Sequence, residues 1–94
     1  MGRSRRPRPA RLGEKLLAVR QGLGLSQTAM CKALELTVDY SAVSQYELGT
    51  REPPLPVLLK YARLAGVIMD VLVDDEMDLP KRLPSAGVKR RRSR

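Results

Sequence analysis

Apolar residues recur through the middle of the chain at helical spacing. Leu12, Leu16, Val19 and Leu23 are separated by four, three and four positions, which lines one face of a helix. Gly22 and Gly24 predict its end. Ser26 is a good N-cap for a second helix, "QTAMCKAL", with Met30, Ala33 and Leu34 on one side. A third helix starts near Asp39 or Ser41, both capable caps, and ends at Gly49; within it Val43 and Tyr46 point inward at i, i+3 spacing. "REPPLP" then interrupts the pattern, placing prolines where a first helical turn tolerates missing amide donors. The fourth helix, "LPVLLKYARLAG", carries Leu55, Leu58, Leu59, Ala62 and Ala65 along one face and stops at Gly66. A short fifth helix near Met69 to Asp75 closes the pattern before "DLP". No alternating run competes, so the expected class is all-α with five short helices.

Charge divides the chain differently from hydropathy. Residues 12–80 hold six of the eighteen cations and all ten acids. The remaining cations lie at the ends: Arg3, Arg5, Arg6, Arg8 and Arg11, then Lys81, Arg82, Lys89, Arg90, Arg91, Arg92 and Arg94. With Pro, Ser and little to bury, these ends read as disordered basic arms over 1–11 and 79–94, flanking a domain over 12–78. Such arms serve phosphate backbones, where each neutralised phosphate releases counterions, or act only as solubility or localisation tails. The acids Asp74, Asp75, Glu76 and Asp78 suit a basic partner or the chain's own tails.

The residue inventory removes most chemistry. There is no His and one Cys, so the usual general base, zinc sets and an internal disulfide are all missing. No catalytic residue, metal, cofactor or small-molecule ligand is indicated, and no enzymatic activity is expected. The basic start is not followed by a long apolar run, so the expectation is a cytoplasmic protein without a membrane span.

Three ordered motifs sharpen the helical pattern. Leu25-Ser26-Gln27 opens the second helix, Ser44-x-Tyr-Glu-x-Gly-x-Arg-x-Pro53 follows the third, and Leu64-Ala-Gly-Val67 closes the fourth. Together they resemble the XRE or Cro-like helix-turn-helix family of phage and bacterial repressors, over nearly all of residues 12–73. The resemblance implies a lambda-repressor-like domain that binds double-stranded DNA and regulates transcription, as a repressor or autoregulator.

Site residues follow from matching those motifs. The resemblance places Tyr40, Ser41, Ser44 and Gln45 at base-reading positions; Gln45 can bond bidentately to adenine and serines suit most base edges. Taken without the motif, the four equally fit the solvated face of an amphipathic helix. Gln27 and Thr28 at the start of the second helix, and Thr50 and Arg51 in the loop after the third, fall at phosphate-contacting positions, with Arg8 and Arg11 as cations of the arm. Arg20 and Glu47 match a structural ion pair that locks the first helix to the third, so Glu47 carries no free negative charge toward DNA.

Two features depart from the family pattern. Gln27 to Ser44 spans 17 positions, about two more than usual, which lengthens the turn through "LELTVDYSAV". Cys31 replaces a small residue of the second helix and reads as a packed hydrophobe. Beyond the motifs, "VIMDVLV" (67–73) is richer in apolar residues than a capping helix needs: Val67 and Leu72 can close the core, while Ile68, Met69, Val71 and Val73 fit a homodimer contact or the ordinary apolar surface of a small domain. The competing functional readings are a protein-interaction module, such as an antitoxin or accessory factor, and a nonspecific nucleic-acid binder dominated by the tails.

Overall fold

The computed structural model describes residues 9–36 and 41–84. They form five helices, α1 (Leu12–Leu23), α2 (Gln27–Ala33), α3 (Ser41–Leu48), α4 (Leu55–Ala65) and α5 (Met69–Val73), with no strand among the described residues. Leu12, Leu16 and Val19 of α1 meet Met30 of α2 and Leu34 at its C-cap, Val43 and Tyr46 of α3, Leu58 and Tyr61 of α4, and Leu72 of α5 in one buried core. Among the described residues no helix is long and apolar enough to cross a membrane.

The helix ends follow from local chemistry. Gly24 takes a left-handed φ of 74° and sends its amide to the carbonyls of Arg20 and Gln21. Gly22, expected to help end α1, instead lies inside its last turn. There its missing Cβ makes room, since a Cβ at Gly22 would stand 2.9 Å from Leu83 Cδ1. Ser26 caps α2, its Oγ accepting from the Ala29 amide at 3.0 Å. At the other end of α2, the amides of Glu35 and Leu36 bond to the carbonyls of Lys32 and Cys31, with Glu35 in the left-handed region at φ 63°. Glycine is the usual occupant of that position. Lys60 of α4 meets the strained turn, its Nζ 2.6 Å from Glu35 Oε1 and 3.3 Å from the Leu34 carbonyl.

Two expectations for the core change. On α4 the buried face is Leu58, Tyr61, Ala62 and Ala65, whereas Leu55 and Leu59 are exposed. Successive helical positions turn by about 100°, so Leu55 and Leu59 sit to one side of the stripe centred on Leu58 and Ala62. α5 ends at Val73 and does not reach Asp75, because Asp74 is already extended. In the 67–73 segment Leu72 is buried, and Val67, Met69 and Val73 pack partly against the core; Ile68 stands out in solvent.

Tyr61 of α4 is fully buried, yet its hydroxyl has no hydrogen-bond partner among the described residues. Burial pushes its phenol far above the ordinary range, and the nearby Glu47 carboxylate adds to the shift. An unpartnered buried hydroxyl costs about 1 kcal/mol or more relative to an apolar replacement of the same shape. Tyr61→Phe is therefore expected to raise the midpoint of thermal unfolding, read by circular dichroism.

The chain beyond α5 belongs to the folded unit. Leu79 packs partly against the core and Leu83 is 5% exposed. At the other end, the amides of Ala10 and Arg11 bond to the Asp75 carboxylate at 2.8 and 3.0 Å. The described, packed chain thus extends past both ends of the 12–78 interval that composition marks out. Asp75 and Asp78 serve the chain's own N-terminal segment, as one reading of the acidic cluster expects.

Candidate nucleic-acid interface

The outward face of α3 is nearly neutral. Ala42, Val43 and Tyr46 are buried, which turns Ser41, Ser44, Gln45 and Leu48 to the other side. Leu48, 74% exposed, stands on the same outward stripe as the serines, although its apolarity gives no reason to place it there from sequence. Tyr40 and the alternative helix cap Asp39 lie outside the described residues, as does Arg8.

Gln45 is held at both ends of its amide. Its Nε2 stands 3.4 Å from Ser41 Oγ, and its Oε1 accepts from Arg51 Nη1 at 3.4 Å. Gly49, at φ 82°, turns the chain so that the Thr50 amide and hydroxyl both reach the Gln45 carbonyl, at 3.1 and 3.4 Å. The same turn brings the Arg51 guanidinium over the Tyr46 ring, 5.8 Å from its centroid. Arg51 therefore lies beside Gln45 at the edge of the α3 face, closer to it than their separation in sequence suggests.

Glu47 is the junction of three helices. Arg20 Nε and Nη2 of α1 reach its two carboxylate oxygens at 2.7 and 3.2 Å, and Gln27 Nε2 of α2 adds a bond of 3.0 Å to Oε1. Arg20 also donates Nη1 to the Leu25 carbonyl at 2.9 Å, tying the α1–α2 loop to the same point. The Arg20 and Glu47 side chains are 16% and 6% exposed. The hydrogen bond to Glu47 raises the Arg20 pKa further above its already high value, so the guanidinium stays charged at any ordinary pH. The one acid at the end of α3 is thereby neutralised within the fold. Gln27 is an exposed residue of the first turn of α2, with Thr28 exposed beside it.

Gly13 sets how closely α1 and α3 approach. A Cβ there would lie 2.7 Å from the Glu47 carbonyl oxygen and 3.2 Å from that of Tyr46. Backbone cannot yield as a side-chain tip can, so α3 has to move. Alanine gains roughly 1 kcal/mol of helix propensity over glycine, while overpacking costs about 1–3 kcal/mol. Gly13→Ala is expected to lose up to about 2 kcal/mol net and to displace the α3 face, seen as a lower melting midpoint together with weaker binding to selected duplexes.

Arg11 is placed differently from the other proposed phosphate contacts. Its Nη1 donates to the Asp75 carbonyl at 2.6 Å and its Nη2 to Asp78 Oδ1 at 2.6 Å. The two backbone amides of Arg11 and Ala10 hold the Asp75 carboxyl below the usual carboxylate range. Arg11 thus pins the start of α1 to the segment after α5. Lys15, one turn further on, is a residue the sequence pattern does not single out. It is 3% exposed, and its Nζ donates to the carbonyls of Val71, Asp74 and Met77 at 2.8, 2.9 and 2.7 Å. The one signal in the sequence is a lysine at i+3 from Leu12 and i−4 from Val19, close to the apolar stripe.

Comparison with known proteins agrees with this architecture. Residues 16–72 match a family model described as helix-turn-helix, HTH_3. Among solved structures, the crystal structure of the P22 c2 repressor protein in complex with synthetic operator 9T in the presence of Tl+ is similar to the chain with a TM-score of 0.60. The two are 30% identical over 68% of this chain and 94% of that one. No curated protein matches.

Proposed function

The chain belongs to the helix-turn-helix (HTH_3) family of DNA-binding transcription regulators, and on that footing we propose that it is a sequence-specific repressor that lays α3 in the major groove of its operator. The observation that carries this reading is the outward stripe of α3, where Ser41, Ser44 and Gln45 offer neutral donors and acceptors while Glu47, the acid within the helix, is paired with Arg20. Base edges in the major groove are distinguished by donor and acceptor pattern, which neutral groups read without help from charge. Bound there, the protein acts by occupying DNA that transcription needs, on its own promoter or another.

In this reading affinity comes from around the helix. Arg51, Thr50 and the amides of their loop face one phosphate strand, while Gln27 and Thr28 at the start of α2 face another, helped by the positive end of the helix. Arg8 and the other arm cations supply attraction that does not depend on sequence. The likeness to a repressor in complex with operator DNA supports this choice over a protein-interaction module.

Selection of bound duplexes from a random library tests the proposal. One enriched sequence bound roughly 10³-fold or more over random DNA is expected. Gln45→Ala should lower discrimination at one or two positions by about 10- to 100-fold, since a bidentate base contact is worth ~1–3 kcal/mol. Failure to enrich any sequence, with all duplexes bound alike, would overturn specific reading by α3.

A further inference from the structure

Leu48 is the apolar member of a stripe whose other members, Ser41, Ser44 and Gln45, are polar. Ala42, Val43 and Tyr46 mark the buried side of α3. At about 100° per residue, Leu48 points roughly 170° from their mean direction, further outward than either serine or Gln45. It is 74% exposed, and the start of α1 does not cover it: a cleft opens between them, lined by Leu48 with Gly13, Tyr46, Gly49 and Arg51. The other large exposed apolar residues, Leu55, Leu59 and Ile68, belong to α4 and the cap of α5. A protein-docking surface gathers apolar side chains into one patch, whereas the α3 stripe carries a single leucine among hydrogen-bonding groups.

The major groove of DNA offers such a side chain one kind of partner. Base edges there present donors and acceptors, and the apolar feature of the pattern is the C5-methyl of thymine. A leucine laid on a guanine or cytosine edge takes water from polar groups and returns no hydrogen bond. Laid on a thymine methyl, it buries apolar surface on both sides. Gln45 leans to the flank of the stripe where Arg51 Nη1 meets its Oε1, and Leu48 continues along the centre. Three residues separate Gln45 and Leu48, a rise of about 4.5 Å, against ~3.4 Å between stacked bases. A base pair one or two steps from the one facing Gln45 is thereby within reach.

We propose that Leu48 is a specificity-determining residue that reads the C5-methyl of a thymine adjoining the base contacted by Gln45. The proposal rests on the DNA-binding reading above and deepens it: the operator carries a thymine recognised by apolar contact, beside bases recognised by hydrogen bonds. Cytosine at the same place is rejected twice over, because it lacks the methyl and leaves its amino donor without a partner.

The test removes the methyl from the DNA and the side chain from the protein, separately and together. Each thymine of a selected operator is replaced singly by deoxyuridine, which differs only by that methyl, and binding is measured for wild type, Leu48→Ala and Leu48→Met. Leu48 is exposed, so both variants should melt at the wild-type midpoint. At one thymine the wild type should lose about 4-fold, the ~0.8 kcal/mol of one buried methyl group. Leu48→Ala should bind the thymine and uracil duplexes alike, and Leu48→Met should keep the difference. A C·G pair at that position should cost the wild type about 10-fold or more, of which 5-methylcytosine should recover about 4-fold. A methyl effect that survives Leu48→Ala assigns the contact to another residue, and an equal loss by Leu48→Ala on both duplexes places Leu48 against the sugar-phosphate backbone; either result overturns the proposal. If selection enriches no duplex, specific reading by α3 fails and the role of Leu48 falls with it; an enriched operator on which no single methyl matters sinks the Leu48 contact alone.

Discussion

Replacing Arg20 with alanine is expected to lower stability by about 3–5 kcal/mol, the cost of leaving one member of a buried ion pair without the other. Glu47 would keep only its bond from Gln27, at a site where water reaches 6% of the side chain. A domain of this size has roughly 5–10 kcal/mol of total stability, so the loss takes a large share of it. The melting midpoint should fall by about 15 °C or more, since ~1 kcal/mol moves a small domain by ~4–8 °C. Glu47→Ala should be milder, because the freed guanidinium keeps its Leu25 contact and is the more exposed partner. The double variant should lose less than the sum of the singles, because neither charge is left stranded. Equal midpoints for wild type and Arg20→Ala would mean that the pair is solvated in solution and that α3 is held by packing alone. Binding should weaken along with stability, since the same bonds hold α3 to α1 and to the first turn of α2.

The residues legible in the sequence are those whose partners are set by periodicity or by a local motif. Leu16, Val19, Val43 and Leu72 declare themselves by spacing, and Ser26 by its place before an apolar run. The matched pair Arg20 and Glu47 also meets as the family resemblance implies. What escapes such reading depends on long-range geometry. Gly13 is an ordinary small residue until α3 crosses it, and Gly22 looks like a helix stop until Leu83 is seen to occupy its missing side chain. Leu55 and Leu59 read as core because a leucine-rich helix offers several overlapping stripes, yet the larger Tyr61 takes the central place. Charge groups Arg11 with the arm, although its backbone and side chain are engaged by Asp75 and Asp78 from the far side of the domain's sequence.

These long-range contacts bear on how a neutral helix and a charged chain coexist. Among the described residues, Glu47 at the end of α3 has Arg20, and Asp75 and Asp78 beside the start of α1 have the Ala10 and Arg11 segment. Their charge is spent inside the fold, which leaves the cations of the two ends in excess. In the proposed reading, attraction to phosphate and reading of bases fall to different residues, so that each is expected to change without the other. Substitutions at Gln45 and the serines are then expected to alter the preferred sequence, and substitutions in the arms or at Arg51 to alter affinity for all sequences.

Lys15→Met should destabilise the fold by about 3 kcal/mol and, more specifically, release the segment after α5. Methionine matches the stem of lysine in length and apolarity, so core volume is conserved and the change isolates the ammonium. That group makes three charge-assisted bonds to the carbonyls of Val71, Asp74 and Met77, which close the end of α5 and the turn that follows it. A hydrogen bond to a charged group contributes ~1.5–3 kcal/mol, and a carbonyl left buried without a donor costs about 1–3 kcal/mol. The full sum is not expected, since a loosened turn lets water reach the freed carbonyls. Hydrogen exchange should locate the loss: amides of Asp74 and Met77, bonded to the carbonyls of Asp70 and Asp74, should lose protection well before those of α1 and α4. If Lys15→Met melts at the wild-type midpoint with these amides still protected, the lysine merely fills space and the turn holds itself. If it loosens the turn as expected, Leu79 and Leu83 should come away with it, while the amides of α1 and α4 keep their protection.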